Sequence, residues 1–166
     1  MKKIFLRLTT TLVFVFLISV AFAQDCPLKL DLEKGTANGV KPTSNWADSK
    51  SALGCINRWI ETKDNTGSRL MENTIAGITW DLDMHYFIIN KVFLSEPLLP
   101  FFGKNKKEMV NLLGKPKEEL KVDKDFVILF YEKSYGTLVI DIEEGSVYEV
   151  YITHTNLSDT KKIMGL

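Results

Sequence analysis

Cysteine and histidine are scarce in this chain of 166 residues, at two apiece, and positive charge shows no excess, since 21 Lys and Arg balance 21 Asp and Glu. Two histidines leave little room for acid–base catalysis, and a chain without a basic surplus lacks the electrostatic footprint of a nucleic-acid binder. Internal repeats and low-complexity tracts are missing as well. No apolar run reaches the roughly 20 residues that a membrane-spanning helix needs.

What is present begins with the leader MKKIFLRLTTTLVFVFLISVAFAQ. Lys2, Lys3 and Arg7 precede an apolar run from Leu12 to Phe22, and Ala21 and Ala23 stand at A-x-A spacing, the pattern of a secretory signal peptide cleaved after Ala23. A lipid anchor requires small residues ahead of the first cysteine, where this chain has Gln24 and Asp25. The expected product, residues 24–166, is a soluble exported protein without an integral membrane segment, periplasmic or secreted. Loss of three positive charges leaves it at a net charge of about −3. In an oxidising compartment Cys26 and Cys55 are expected to pair, a structural disulfide contributing roughly 3 to 4 kcal/mol. Their 29-residue separation is unlike a C-x-x-C redox pair.

The composition suits one globular α+β domain, with residues 24–100 as an amino-terminal lobe and 101–153 as a helix plus a three-stranded sheet. Residues 24–43 read as an extended arm rich in Gly, Pro and charge. A helix is predicted from about 45 to 62, capped by Ser44 or Asn45, because Trp46, Leu53, Ile56, Trp59 and Ile60 fall largely on one stripe. KDNTGS, Lys63 to Ser68, is a turn by composition. Across 78–94 two readings stay open. Ile78, Trp80, Leu82 and Met84 alternate as in a strand, whereas Met84, Phe87, Ile88 and Val92 fit a helix capped by Asp83; β-branched and aromatic content favours the strand. Pro97 and Pro100 end the element.

FVILFY (Phe126 to Tyr131), TLVIDI (Thr137 to Ile142) and VYEVYI (Val147 to Ile152) are three strands of an antiparallel meander. Three-residue loops with Gly136 and Gly145 in the left-handed position would set Tyr131 against Val139 and Leu129 against Asp141, then Asp141 against Val147 and Val139 against Glu149. One face then holds Phe126, Ile128, Phe130, Leu138, Ile140, Ile142, Tyr148, Val150 and Ile152, a core side for short helices to cover. The other holds Val127, Leu129, Tyr131, Val139, Asp141, Val147, Glu149 and Tyr151.

The stretch FFGKNKKEMVNLLGKPKEEL, Phe101 to Leu120, has two Gly-Lys pairs but fails as a phosphate loop. Gly103 and Gly114 lie too far apart, and Lys115 is followed by proline instead of Ser or Thr. It reads as a helix, with Asn105 and Glu108 as a capping box, Met109, Leu112 and Leu113 as its apolar stripe, and Gly114 and Pro116 as its stop. Together with the strands that follow, this order resembles the small exported modules of the BamE-like (SmpA/OmlA) outer-membrane assembly proteins and the β-lactamase-inhibitor-like domains. The resemblance spans 101–153. It rests on Gly103, Asn105, Met109 or Val110, Leu113, Gly114 and Pro116, then Leu138, Ile140, Ile142, Gly145 and Val147. It departs at the family's strand tryptophan, replaced by Leu129, Phe130 and Tyr131, and at the lipid-bearing cysteine. The resemblance implies binding of proteins through sheet and loops, without catalysis.

The candidate chemistry is thin. Asp81, Asp83 and His85 at i, i+2, i+4 would share one face of a strand and offer ligands to zinc, although the plain reading is the polar side of an alternating strand. His154 marks a strand end, Glu143 and Glu144 are turn residues, and neither Ser134 nor Ser146 has a nucleophile's setting. No cofactor is expected. The expected binding residues are Tyr131, Tyr135, Val139, Asp141, Glu149 and Tyr151, aromatics and carboxylates on a rigid sheet facing another envelope or secreted protein. The alternatives are a metal-dependent hydrolase built on Asp81, Asp83 and His85, or a small-molecule binder with a pocket near Trp80, Tyr86 and Phe87.

Overall fold

The computed structural model describes residues 28–53, 58–74, 76–90 and 99–166. The leader, Cys26, Cys55 and Pro97 lie outside the described residues, and so does the predicted disulfide. A small hairpin comes first, β1 (Leu30–Asp31) and β2 (Thr36–Ala37), followed by a single-turn helix, α1 (Trp46–Ser49). Then come β3 (Ile60–Lys63), β4 (Arg69–Asn73), β5 (Ile78–Asp81), β6 (Tyr86–Asn90), α2 (Lys106–Leu113), β7 (Glu118–Lys121), β8 (Phe126–Lys133), β9 (Gly136–Glu143), β10 (Ser146–Thr153) and α3 (Leu157–Ile163). The class is α+β. Strands β3 to β10 form one antiparallel sheet in the order β3-β4-β5-β6-β10-β9-β8-β7. Two four-stranded meanders therefore meet through their last strands.

Several expectations change here. Asn45 does cap a helix, its side chain accepting from Ala47 N, but α1 stops after Ser49 and the predicted 45–62 helix gives way to β3. Ile60 to Lys63 pair with Arg69 to Glu72, and the backbone ladder of that hairpin outweighs the weak helical stripe. Of residues 78–94, the described part is two strands: Asp81 pairs with Tyr86 around a four-residue turn. The carboxyl-terminal meander gains β7 as a fourth strand, Glu118 facing Phe130 and Leu120 facing Ile128.

The registers differ from expectation, and the difference sets the faces. Lys133 pairs with Gly136, so the β8–β9 loop has two residues, Ser134 and Tyr135. Gly136 serves a close approach: a Cβ there would collide with the Thr153 carbonyl oxygen and lie 2.8 Å from the His154 carbonyl carbon. Tyr131 consequently faces Leu138, and Leu129 faces Ile140. A one-residue slip turns every side chain of a strand over. Val127, Leu129 and Tyr131 join Leu138, Ile140 and Ile142 in the main core, while Phe126, Ile128 and Phe130 move to the second face. The β9–β10 turn is also two residues, Glu144 and Gly145, both with positive φ. A bulge at Tyr148 then takes that side chain out of the alternation, so Val147, Val150 and Ile152 share the main core.

That core is closed by the arm through Leu28, Leu32, Ala37 and Val40, by Phe101 and Phe102, and by Met109 of α2. Trp80 is fully buried, its ring centroid 5.3 Å from Phe87 and 5.9 Å from Trp46, and its indole N–H donates to the Pro42 carbonyl at 2.8 Å. Truncating such a ring to alanine costs about 3 to 5 kcal/mol. The helices do not share one face. Helix α2 holds the capping box between Asn105 and Glu108, and Gly114 ends it at φ 84°. Helix α3 starts at the Asn156 cap and lies on the second face, where Leu157 and Met164 pack with Ile128, Phe130, Val139 and Tyr151.

Candidate functional site

The Tyr148 bulge positions the most unusual group on the second face. It shifts β10 so that Glu149 stands directly across from Asp141, while on its other side Glu149 pairs with Asn90 of β6. Like charges placed opposite each other on neighbouring strands repel. The Glu149 carboxylate is held from two sides: Asn90 Nδ2 donates to Oε1 at 2.7 Å, and the Tyr151 hydroxyl makes a short hydrogen bond to Oε2. Asp141 is only 5% exposed, and its Oδ1 is buried with no hydrogen-bond partner among the described residues. Burial first, then the Glu149 and Glu143 charges, push its carboxyl up to about 7. A carboxyl group in this setting can carry a proton near neutrality or receive a cation.

Beside this row, Tyr86, Ile88 and Tyr151 on the sheet face Thr160, Ile163 and Met164 across a cleft of about 240 Å³. Burial, then the Asp81 carboxylate, raise the Tyr86 phenol to about 12. Burial and the bond to Glu149 hold Tyr151 above the usual phenol range. Thr153, Thr155 and Thr160 close the far end through hydroxyl contacts of 2.9 to 3.3 Å.

The six expected binding residues do not share an exposed face. Asp141, Glu149 and Tyr151 do come together on the second face. Val139 lies among them but is fully buried with Phe130 and Ile128 in the α3 contact. Tyr131 is on the other face, 3% exposed, because of the register of β8. Tyr135 sits in the β8–β9 turn, where its hydroxyl donates to the Leu32 carbonyl at 3.0 Å and its ring lies over Gly35. Neither Tyr131 nor Val139 is available as a contact surface. Neither the bulge nor the role of Asn90 leaves a signal in the residue pattern. Helix α3 had a readable cue in Asn156 followed three positions later by Asp159, whose backbone N–H donates to the Asn156 side chain at 3.0 Å.

Asp81, Asp83 and His85 are separated by the β5–β6 turn. Asp81 Oδ1 accepts from the backbone of Asp83 and Met84, at 2.9 and 2.7 Å, and is consumed in making that turn. Asp83 pairs with the Arg69 guanidinium at 2.9 Å, which with its hydrogen bonds lowers its carboxyl. His85 takes the left-handed conformation, φ 57°. Three residues expected on one strand face are thus parts of a tight turn, and among the described residues no group of three His, Cys, Asp or Glu is set to hold a metal. Of the residues expected around a small-molecule pocket, Trp80 and Phe87 are fully buried against each other, whereas Tyr86 lines the cleft beside α3.

A second and broader cleft, about 950 Å³, opens between the β1–β2 arm and the β8–β9 turn, with Lys29, Lys34, Lys41, Ser134, Tyr135 and His154 in its wall. Asp31 and Glu33 are in that wall too, and ion pairs Lys34–Asp31 and Lys133–Glu33, at 3.4 and 2.7 Å, balance much of the charge. No described helix is long and apolar enough to cross a membrane. No family model, curated protein or solved structure matches this chain.

Proposed function

We propose that this chain is an exported, non-catalytic protein-binding module of the bacterial cell envelope, of the inhibitor, immunity or assembly type, acting through the second face of its sheet. The observation that carries the proposal is that α3 lies over β8, β9 and the end of β10 and borders β6 across the small cleft, whereas on the same face of the outermost strand β3 an apolar side chain stands exposed. Ile60 there is 58% exposed, with half-buried Leu70 on the adjacent strand and half-buried Ile88 further along the same row on β6. Apolar side chains on a flat, hydrogen-bonded surface with a polar rim are the usual make-up of a protein-binding patch. The sequence pattern of residues 101–153 resembles that of BamE-like and β-lactamase-inhibitor-like modules, which supports the same class of function.

The test compares proteins retained from an exported-protein extract by the immobilised parent chain and by Ile60→Glu/Leu70→Glu, with far-UV circular dichroism as a control of folding. A protein retained by the parent and lost by the folded double variant supports the proposal. Retention of nothing, or of the same proteins by both, overturns it.

A further inference from the structure

The second face has one sign of charge. Side chains of paired residues in an antiparallel sheet share a face, and by the observed registers Glu72, Asp81, Glu118, Glu132, Asp141, Glu143 and Glu149 all fall on this one, whereas among the described residues no strand lysine or arginine does. Lys161 and Lys117 neutralise Glu118 and Glu132 at the β7–β8 end, at 2.5 and 3.4 Å. Among the described residues no ion pair meets Asp141 or Glu149. The groups facing Asp141 are Glu149 from β10, Glu143 from its own strand and the apolar Ile128 from β8, while the cations of α3 are engaged elsewhere, Lys161 with Glu118 and the Phe130 ring and Lys162 with Asp159.

We propose that Asp141 and Glu149 form the ammonium-binding end of a lysine pocket, with the partner's lysine stem lying in the cleft formed by Tyr86, Ile88, Tyr151, Ile163 and Met164. The inference rests on the protein-binding reading above and names the chemistry of the partner. Two features of the site select this ligand. First, the oxygens of Glu149 are already held by Asn90 and Tyr151, so the free acceptor of this pair is the buried Asp141 Oδ1. A calcium ion needs six or more oxygens and finds too few, whereas an ammonium carries only three donors and is also attracted to aromatic faces such as Tyr86 and Tyr151. Second, the cleft of about 240 Å³ has room for roughly eight waters by their share of liquid volume. A flexible four-carbon stem fits that space and buries its methylenes against Ile88, Ile163 and Met164.

Charge balance gives the site a proton link. An ammonium entering beside Asp141 replaces the proton that this carboxyl holds below about pH 7, so binding releases that proton. Affinity is expected to fall about tenfold from pH 8 to pH 6, following the ionised fraction of a group of that pKa.

The probe is N-acetyl-lysine methylamide, titrated against the full chain while the carboxyl carbon of Asp141 is followed by NMR. N-acetyl-norleucine methylamide, which has the stem without the ammonium, is the matched control, and sodium chloride at equal ionic strength controls for screening. The expected result is a saturable shift at Asp141 with the lysine probe, at least tenfold weaker with the norleucine probe, absent with salt, and lost in Glu149→Gln. Asp141→Asn, read through the Tyr151 and Met164 resonances, is expected to weaken binding of the lysine probe by a similar factor. Equal binding of the two amides, a salt effect of the same size, full binding by Asp141→Asn, or no saturable shift at all would each overturn the proposal. If the lysine probe binds while no protein is retained from the extract, the ammonium site stands and the protein-binding reading falls. The reverse pattern removes the lysine pocket alone.

Discussion

Replacing Asp141 by Asn should make the protein more stable above pH 7 and should remove much of its stability change between pH 4 and pH 7. In the folded chain this carboxyl titrates at about 7, against an ordinary value of 3.8. Between those values the native state holds a proton that the unfolded state has lost, so stability falls as pH rises, and it levels off above about 7. Three units at 1.36 kcal/mol each give about 4 kcal/mol as the upper size of the effect. Urea unfolding at pH 5, 6, 7 and 8 measures it. With a slope of about 2 kcal/mol per molar urea, the parent midpoint should be up to about 2 M lower than the variant's at pH 8 but only up to about 0.8 M lower at pH 5, because part of the loss has already occurred above the ordinary value of 3.8. The comparison between variants matters, because Asp31, Asp64 and Asp83, all lowered by hydrogen bonds, contribute in the opposite sense under more acidic conditions and are common to both proteins. Parallel midpoint curves for parent and Asp141→Asn would refute the reasoning.

Asn105→Ala removes a capping box whose two bonds measure 2.9 and 3.1 Å, and should lower stability by about 1 kcal/mol in urea, with Asn105→Asp retaining most of it; equal midpoints for parent and Ala variant would contradict this. Gly35→Ala puts a Cβ 2.5 Å from Tyr135 Cδ2 at φ 64°, so left-handed strain and overpacking together should cost about 3 kcal/mol. In a Tyr135→Ala background the same change should cost only about 1 to 2 kcal/mol, and a double-mutant cycle without coupling would show that the ring and the glycine do not meet.

The elements with strong local chemistry were legible in the sequence. FVILFY, TLVIDI and VYEVYI are strands because β-branched and aromatic residues pack well on a pleated surface, and Asn105 to Gly114 is a helix because its cap, stripe and glycine stop agree. Faces were harder to read. They depend on whether Gly136 is a turn residue or a strand residue pressed against Thr153, and composition cannot separate the two. That single choice sent Tyr131 to the core and Phe130 to α3. The candidate site was half visible: Asp141, Glu149 and Tyr151 were expected as binding residues, but the bulge at Tyr148 that aligns the two carboxylates leaves no trace in composition. Asp81 and Asp83 misled for the opposite reason, since the carboxylates that suggested metal ligands are also good residues for building a tight turn.

The pairing of β6 with β10 bears on how the molecule assembles. Within each meander, neighbouring strands find each other across short connections, but Asn90 and Glu149 meet across 59 positions of chain. Closing a loop of that length instead of one of about four residues adds roughly 2 kcal/mol of entropy, at about 0.6 kcal/mol for each doubling. Within the eight-stranded sheet this seam is thus the slowest pairing to gain by chance, and it is favourable only once both meanders offer formed edges. Asn90 comes from one meander, and Glu149 and Asp141 from the other. With only the carboxyl-terminal half folded, Asp141 still stands across from Glu149 but the Asn90 donor is missing, so the Asn90–Glu149 hydrogen bond reports that the two halves have joined.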